Sequence, residues 1–159
     1  MGVTRVTKAE LARDVWQQLV GYFFAHGRTQ MKVAHELGLT PGHMKTMFEL
    51  DADEGRSMGD IANAMMCDAS NATWLVDRLE ERGLVERRPH PRDRRIKSVV
   101  LTPEGVKVKQ LLIDRFSDPP EDLVDLDRAD LDTLRNALMH LPPHPPFWEA
   151  LRTSEPAAS

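Results

Sequence analysis

A single cysteine, Cys67, stands among 159 residues, so no intrachain disulfide framework is available and the chain suits a reducing cytoplasm. No stretch approaches the roughly 18 apolar residues that a membrane-spanning helix needs. The N-terminus also lacks the apolar segment of a signal peptide, so neither export nor a membrane partner is expected. Chemistry-bearing patterns are missing as well. His26, His35, His43, His90, His140 and His144 form no H-E-x-x-H arrangement, and no C-x-x-C occurs. Nor is there a glycine-rich phosphate loop, a nucleophile elbow or a Ser/His/Asp grammar. The expectation is a protein without metal, without cofactor and without enzymatic activity.

What is present is ordinary in bulk: 41% hydrophobic and 29% charged residues suit one medium, soluble domain with a real core. A formal net charge of -4 argues mildly against a nucleic-acid binder. Its distribution answers the objection. Residues 114–136 hold eight acidic side chains against three arginines, whereas residues 87–97 hold six Arg or Lys against one Asp.

That basic segment belongs to the stretch from Asp68 to Leu101, around which the chain is organised. Asp68 suits a helix N-cap, and Arg82 and Gly83 close the helix. Ala72, Leu75, Val76 and Leu79 make one apolar stripe facing a core. On the other face lie Ser70, Asn71, Thr73, Trp74, Asp77 and Arg78. Short hydrogen-bonding side chains near a helix N-terminus are what a helix-turn-helix protein offers the major groove, although a plain solvated face looks the same. Asn71 can pair bidentately with adenine, Ser70 and Thr73 can bond base or phosphate, and Arg78 can reach phosphate or guanine. A strand begins at Leu84 and Val85 and continues through Glu86, Arg87 and Arg88, until Pro89 and Pro91 end regular pairing. The chain returns through Ile96 to Leu101, giving a two-stranded ribbon with a cationic tip that fits a minor groove. Arg87, Arg88, Arg92 and Lys97 are candidate phosphate contacts.

At these residues the sequence resembles the MarR family of winged helix-turn-helix regulators. The resemblance is carried by Met58-Gly-Asp-Ile-Ala, by Leu75-Val-Asp-Arg-Leu-Glu-Glu-Arg-Gly-Leu-Val-Glu-Arg, by Asp93-Arg-Arg and by Leu101-Thr-Pro-Glu-Gly. It implies that Arg95 is the wing-tip arginine entering the minor groove, that Asp93 holds the wing in shape, and that Arg94 contacts the backbone. Trp74 departs from the polar or basic residue usual there and points to an apolar contact, such as a thymine methyl.

The flanking segments read as helices. Leu11, Val15, Leu19, Tyr22, Phe23 and His26 form one stripe of a long first helix, widened by Ala12, Trp16, Val20 and Phe24. So broad an apolar face suggests a subunit interface. Thr40 with Pro41, Ser57 with Asp60, and Thr102 with Pro103 each mark a further helix start. A terminal helix from about 128 to 140 aligns Leu131, Leu134, Leu138 and Leu141.

The fold expected is mainly α with a small β-ribbon: a winged helix-turn-helix plus an all-helical dimerisation region. Residues 1–37 form the N-terminal dimerisation helix, 38–102 the DNA-binding region, 103–141 the C-terminal dimerisation helices and 142–159 a proline-rich tail, read either as a loosely held terminus or as a segment that Phe147, Trp148 and Leu151 anchor on the partner or in a cleft. The function expected is that of a homodimeric transcriptional repressor on a pseudo-palindromic double-stranded operator. The resemblance implies release by a small aromatic acid, with Trp16, Tyr22, His26 and His43 as candidates for its cleft. Two alternatives stand beside this: a redox-responsive regulator acting through Cys67, and a winged-helix module that binds protein.

Overall fold

The computed structural model describes residues 6–89 and 97–143, the side chains of 28–30 excepted. Helix α1 spans Lys8–Glu36 and opens with a capping box, Thr7 accepting from the Glu10 amide while the Glu10 carboxylate accepts from Thr7. Helices α2 (Pro41–Glu49) and α3 (Met58–Met65) start at Thr40 and Ser57, where the sequence places them. Met66 turns the chain in a left-handed conformation, φ 51°, into α4 (Ala69–Glu81), whose N-cap is Asp68. Gly83, at φ 69°, releases the chain from α4 without the Cβ clash that another residue would meet there.

Three short strands follow the order β1-β3-β2, all antiparallel: β1 is Arg56–Ser57, β2 Val85–Pro89 and β3 Lys97–Leu101. The ribbon read as two-stranded thus gains a third member, whose two residues are too few to show a strand period. Pro89, where the sequence has regular pairing stop, lies opposite Lys97 as the last residue of edge strand β2, a position where a missing N–H costs little. Helices α5 (Pro103–Ser117), α6 (Glu121–Val124) and α7 (Arg128–Met139) complete the described chain.

The core lies beneath the winged module. Met47, Phe48, Leu50, Ile61, Val76, Leu79 and Val99 are sealed from solvent, with Ala34 of α1 and Leu112 of α5 joining them. Helix α5 starts hard against β2: the Thr102 hydroxyl donates to Gly83 O at 2.6 Å and its N–H to Leu84 O at 3.0 Å. A Cβ on Gly105 would come within 1.9 Å of Leu84 O, so only glycine fits. Lys109 Nζ reaches Leu50 O at 2.8 Å and Phe48 O at 3.3 Å, satisfying carbonyls left over where α2 ends. Glu49, 0% exposed, pairs with Arg56 of β1 at 3.0 Å. At the junction of α1 and α4, Arg82 Nη1 donates to Gly38 O at 2.8 Å and Nη2 to Leu37 O.

Outside that core the burial changes abruptly. No residue of α6 or α7 is buried, and α1 leaves Leu11, Val15, Trp16, Phe23 and Phe24 open to solvent. Among the described residues no helix is long and apolar enough to cross a membrane.

Candidate nucleic-acid interface

Helix α4 is amphipathic in the sense its spacing predicts. Ala72, Leu75, Val76 and Leu79 are buried, while Ser70, Asn71, Thr73, Trp74, Asp77 and Arg78 are exposed. The exposed side chains differ in what they still have to offer. Ser70 Oγ donates to Asp68 Oδ1 at 2.7 Å and Thr73 Oγ1 donates to Ala69 O at 2.7 Å, so both hydroxyls face outward chiefly as acceptors. The Asn71 backbone N–H completes the cap on Asp68 Oδ1 at 2.8 Å, and its side-chain amide has no partner among the described residues. Asn71 therefore keeps both a donor and an acceptor, the pair needed for a bidentate contact with a base edge.

The ribbon is fastened to this same face. Arg87 of β2 turns back onto α4, where its guanidinium pairs with Asp77 at 2.6 Å and with Glu80. Burial works against its charge, but the hydrogen bonds and the two carboxylates prevail and its pKa is raised. These pairings compete with the phosphate contact expected of Arg87, since Nη1 and Nη2 each already donate to a carboxylate of α4. Arg88, half exposed, leans on Glu86 and Arg78 on Glu81 at 2.7 Å; surface pairs of this kind are weak and exchange readily. Lys97, at the start of β3, has no partner among the described residues. Arg92, Asp93, Arg94 and Arg95 lie outside the described residues, as do Phe147, Trp148 and Leu151 of the tail.

Trp74 does not stand alone. Its indole lies near-parallel to the ring of His43 from α2, centroids 5.5 Å apart and planes 21° from parallel. His43 is only 6% exposed, whereas Trp74 is 49% exposed. The imidazole Nδ1 accepts from the Thr40 amide at 3.3 Å, which in the neutral ring leaves the proton on Nε2. Nε2 is buried and has no hydrogen-bond partner among the described residues. Burial, then Arg82, then Arg78 hold the His43 pKa below its ordinary value of 6.5. An imidazole that refuses a proton when folded makes the unfolded chain the better proton acceptor, so stability is full above that value and falls as pH drops below it. Urea unfolding at pH 5 and pH 7.5 should show this loss, and His43→Gln should shrink it; equal acid sensitivity in both proteins would place its origin elsewhere.

The four candidate cleft residues do not converge. Tyr22 and His26 meet ring to ring on α1, centroids 4.4 Å apart and planes tilted by 52°, and share one carboxylate, the Tyr22 hydroxyl donating to Asp122 Oδ1 at 3.0 Å and His26 Nε2 meeting Asp122 Oδ2 at 3.1 Å. For Asp122, burial is outweighed by the Tyr22 hydroxyl and His26, so its pKa is lowered; desolvation and the Asp122 charge raise that of Tyr22. His26 borders an open cleft of about 830 Å³ between α1 and the α5–α6 turn, together with Arg115, Asp118, Glu121, Asp122 and Asp125. Trp16 is exposed on α1, and His43 is engaged with Trp74. The excess of carboxylates in the cleft repels an aromatic acid, the ligand class expected from the resemblance.

Cys67 is partly buried and packs against the core, as a small apolar residue would. Among the described residues no group of His, Cys, Asp or Glu could hold a metal ion. Sequence reading missed the Arg87 clasp, made across the turn between α4 and β2, and the His43 partner of Trp74, made between α2 and α4.

Comparison with known proteins places this geometry. Residues 39–97 match the MarR family. A putative transcriptional regulatory protein for the hcr operon of Thauera aromatica is 33% identical over 98 residues, covering 59% of this chain and 59% of that protein. The chain thus spans about three fifths of the length of this curated relative. Among solved structures, the multiple antibiotic-resistance repressor of Listeria monocytogenes 4b F2365 superposes with a TM-score of 0.73 at 18% identity, over 84% of this chain and 93% of the other. A MepR–DNA complex of S. aureus superposes with a TM-score of 0.58 at 21% identity, over 76% and 98%. At these identities the structural likeness concerns the fold alone.

Proposed function

We propose, from the match of residues 39–97 to the MarR family, that this chain is a member of that family and a dimeric DNA-binding transcriptional regulator, a repressor released from a pseudo-palindromic operator by a small ligand. One observation carries the reading: the uncovered polar face of α4 and the root of the basic ribbon are joined through Arg87 and Asp77. Helix and wing thereby approach a duplex in one orientation, and that fixed orientation is what sequence-specific binding needs.

In this mechanism Ser70, Asn71, Thr73 and Trp74 meet base edges in the major groove. Arg78, Arg88 and Lys97 exchange their weak surface pairings, or solvent, for phosphates. Arg95 enters the flanking minor groove from the wing tip, Arg92 and Arg94 meet the phosphate backbone, and Asp93 serves to hold the wing in shape. Two copies joined through α1 and α7 present two α4 helices to successive major grooves, roughly 34–36 Å apart. The apolar surface that α1 and α7 leave uncovered supports that assembly, since a stripe of this breadth gains free energy only when covered. A ligand releases the operator if it binds better to a spacing of the two lobes that the duplex cannot accept. An aromatic acid serving as that ligand would sit away from the carboxylates beside His26.

Selection of bound sequences from random duplexes tests the proposal: a two-fold symmetric consensus is expected, and no enrichment would sink it. In the same assay Asn71→Ala should relax the preference at one position per half-site, costing about 1–3 kcal/mol there. A uniform loss across all sequences would instead mark Asn71 as a phosphate contact.

A further inference from the structure

A capping box needs only an acceptor on the third residue of the helix, and a flexible Glu or Gln supplies it with the rest of its polar atoms in water. At α2 the chain uses His43 instead and leaves Nε2 buried without a partner among the described residues. The cap is therefore not what calls for an imidazole. What the ring provides in addition is a flat, rigid surface against the indole of Trp74, at 5.5 Å and 21°.

The two rings are held very differently. His43 is pinned by the hydrogen bond from the Thr40 amide to Nδ1 and by its own amide donating to Thr40 Oγ1 at 3.2 Å. Trp74, half exposed on α4 one turn beyond Ser70 and Asn71, has no other ring partner among the described residues. A surface indole without a backing ring samples several staggered side-chain states. Stacked on a fixed imidazole, it shows the solvent one face and one edge.

We infer that His43 is the positioning residue that fixes the indole of Trp74 and so sets the base preference of α4 at the position Trp74 meets. The inference rests on the DNA reading given above and deepens it at one contact. An indole held in one orientation tells a thymine methyl from the alternatives, whereas a mobile indole fills whatever space the base leaves. His43 acts through Trp74 and touches no base itself.

The test separates the two levels. In a Trp16→Phe, Trp148→Phe background Trp74 is the one remaining tryptophan, and its fluorescence anisotropy reports its freedom without any DNA. His43→Gln, which keeps a capping acceptor, should lower that anisotropy and reduce discrimination at one position per half-site by at least about fivefold, the low end for a mismatched base pair. The salt dependence of duplex binding should stay unchanged, since no phosphate contact is lost. His43→Phe, which restores a flat ring, should recover both anisotropy and discrimination; this variant also serves if His43→Gln melts too low to assay. A selective wild type whose discrimination survives His43→Gln overturns the inference and leaves the DNA reading standing. A wild type that prefers no duplex, while His43→Gln still frees Trp74, overturns the DNA reading and with it the role in base selection.

Discussion

Phe23→Asp is expected to yield a folded monomer whose affinity for the operator is about 10²–10⁴-fold lower than that of the wild type. Phe23 is 65% exposed in the single chain and touches Phe24 edge to face at 5.8 Å, so its removal takes little from the core under the winged module. It lies on the stripe that Leu11, Val15 and Leu19 continue, all of them open to solvent. Burying a side chain of this size contributes about 1.5–3 kcal/mol, and a carboxylate placed at the same point reverses the sign. With two lobes linked, the second half-site is bound at a high effective concentration; with one lobe, that advantage disappears. Light scattering and duplex titration check the prediction together. A dimer that persists, or a monomer that binds as tightly as the wild type, would show that α1 does not join the two copies.

Arg56→Ala should destabilise the fold by about 3–5 kcal/mol, enough to leave a domain of ordinary stability partly unfolded. The cause is the partner left behind. Glu49 sits at the end of α2 with no exposure, and its carboxylate is held at 3.0 Å from Arg56, the residue that opens β1. Removing the guanidinium takes this ion pair from a carboxylate that the core shields from water. Replacing both residues with apolar ones of similar size, as in Glu49→Leu with Arg56→Met, should recover most of the loss, because keeping a carboxylate out of water costs more than the lost attraction contributes. Urea unfolding of the two single variants and the double variant closes the cycle. A loss below about 1 kcal/mol for Arg56→Ala would mean the carboxylate finds compensation elsewhere.

Which parts of this molecule can be read from its sequence follows from the range of the forces involved. The starts of α2, α3, α4 and α5 are legible because Thr40, Ser57, Asp68 and Thr102 each cap a helix through contacts three residues long. The buried stripe of α4 is legible for the same reason, its period being local. Strand β1 is not, since its two residues become a strand only by pairing with Val99 and Ser98. Arg87 looks like part of a cationic ribbon until the fold brings Asp77 and Glu80 beside it. Likewise, aromatic and histidine content suggests one ligand cleft, whereas tertiary packing sends Tyr22 and His26 to Asp122 and His43 to Trp74. Charge along the sequence foretells neither outcome, because each depends on which helix comes to lie alongside which.

The grip of Arg82 on Leu37 O and Gly38 O ties the exit of α4 to the end of α1. A rotation of α1 transmitted through that guanidinium would turn α4 with it. Helix α4 has 13 residues and is about 20 Å long. A tilt of about 10° at the pivot therefore swings its far end by about 3.4 Å, a single base-pair step of duplex DNA. Small rotations of α1 passed on in this way would be geared up into a change of register at the tip that bears Ser70 and Asn71.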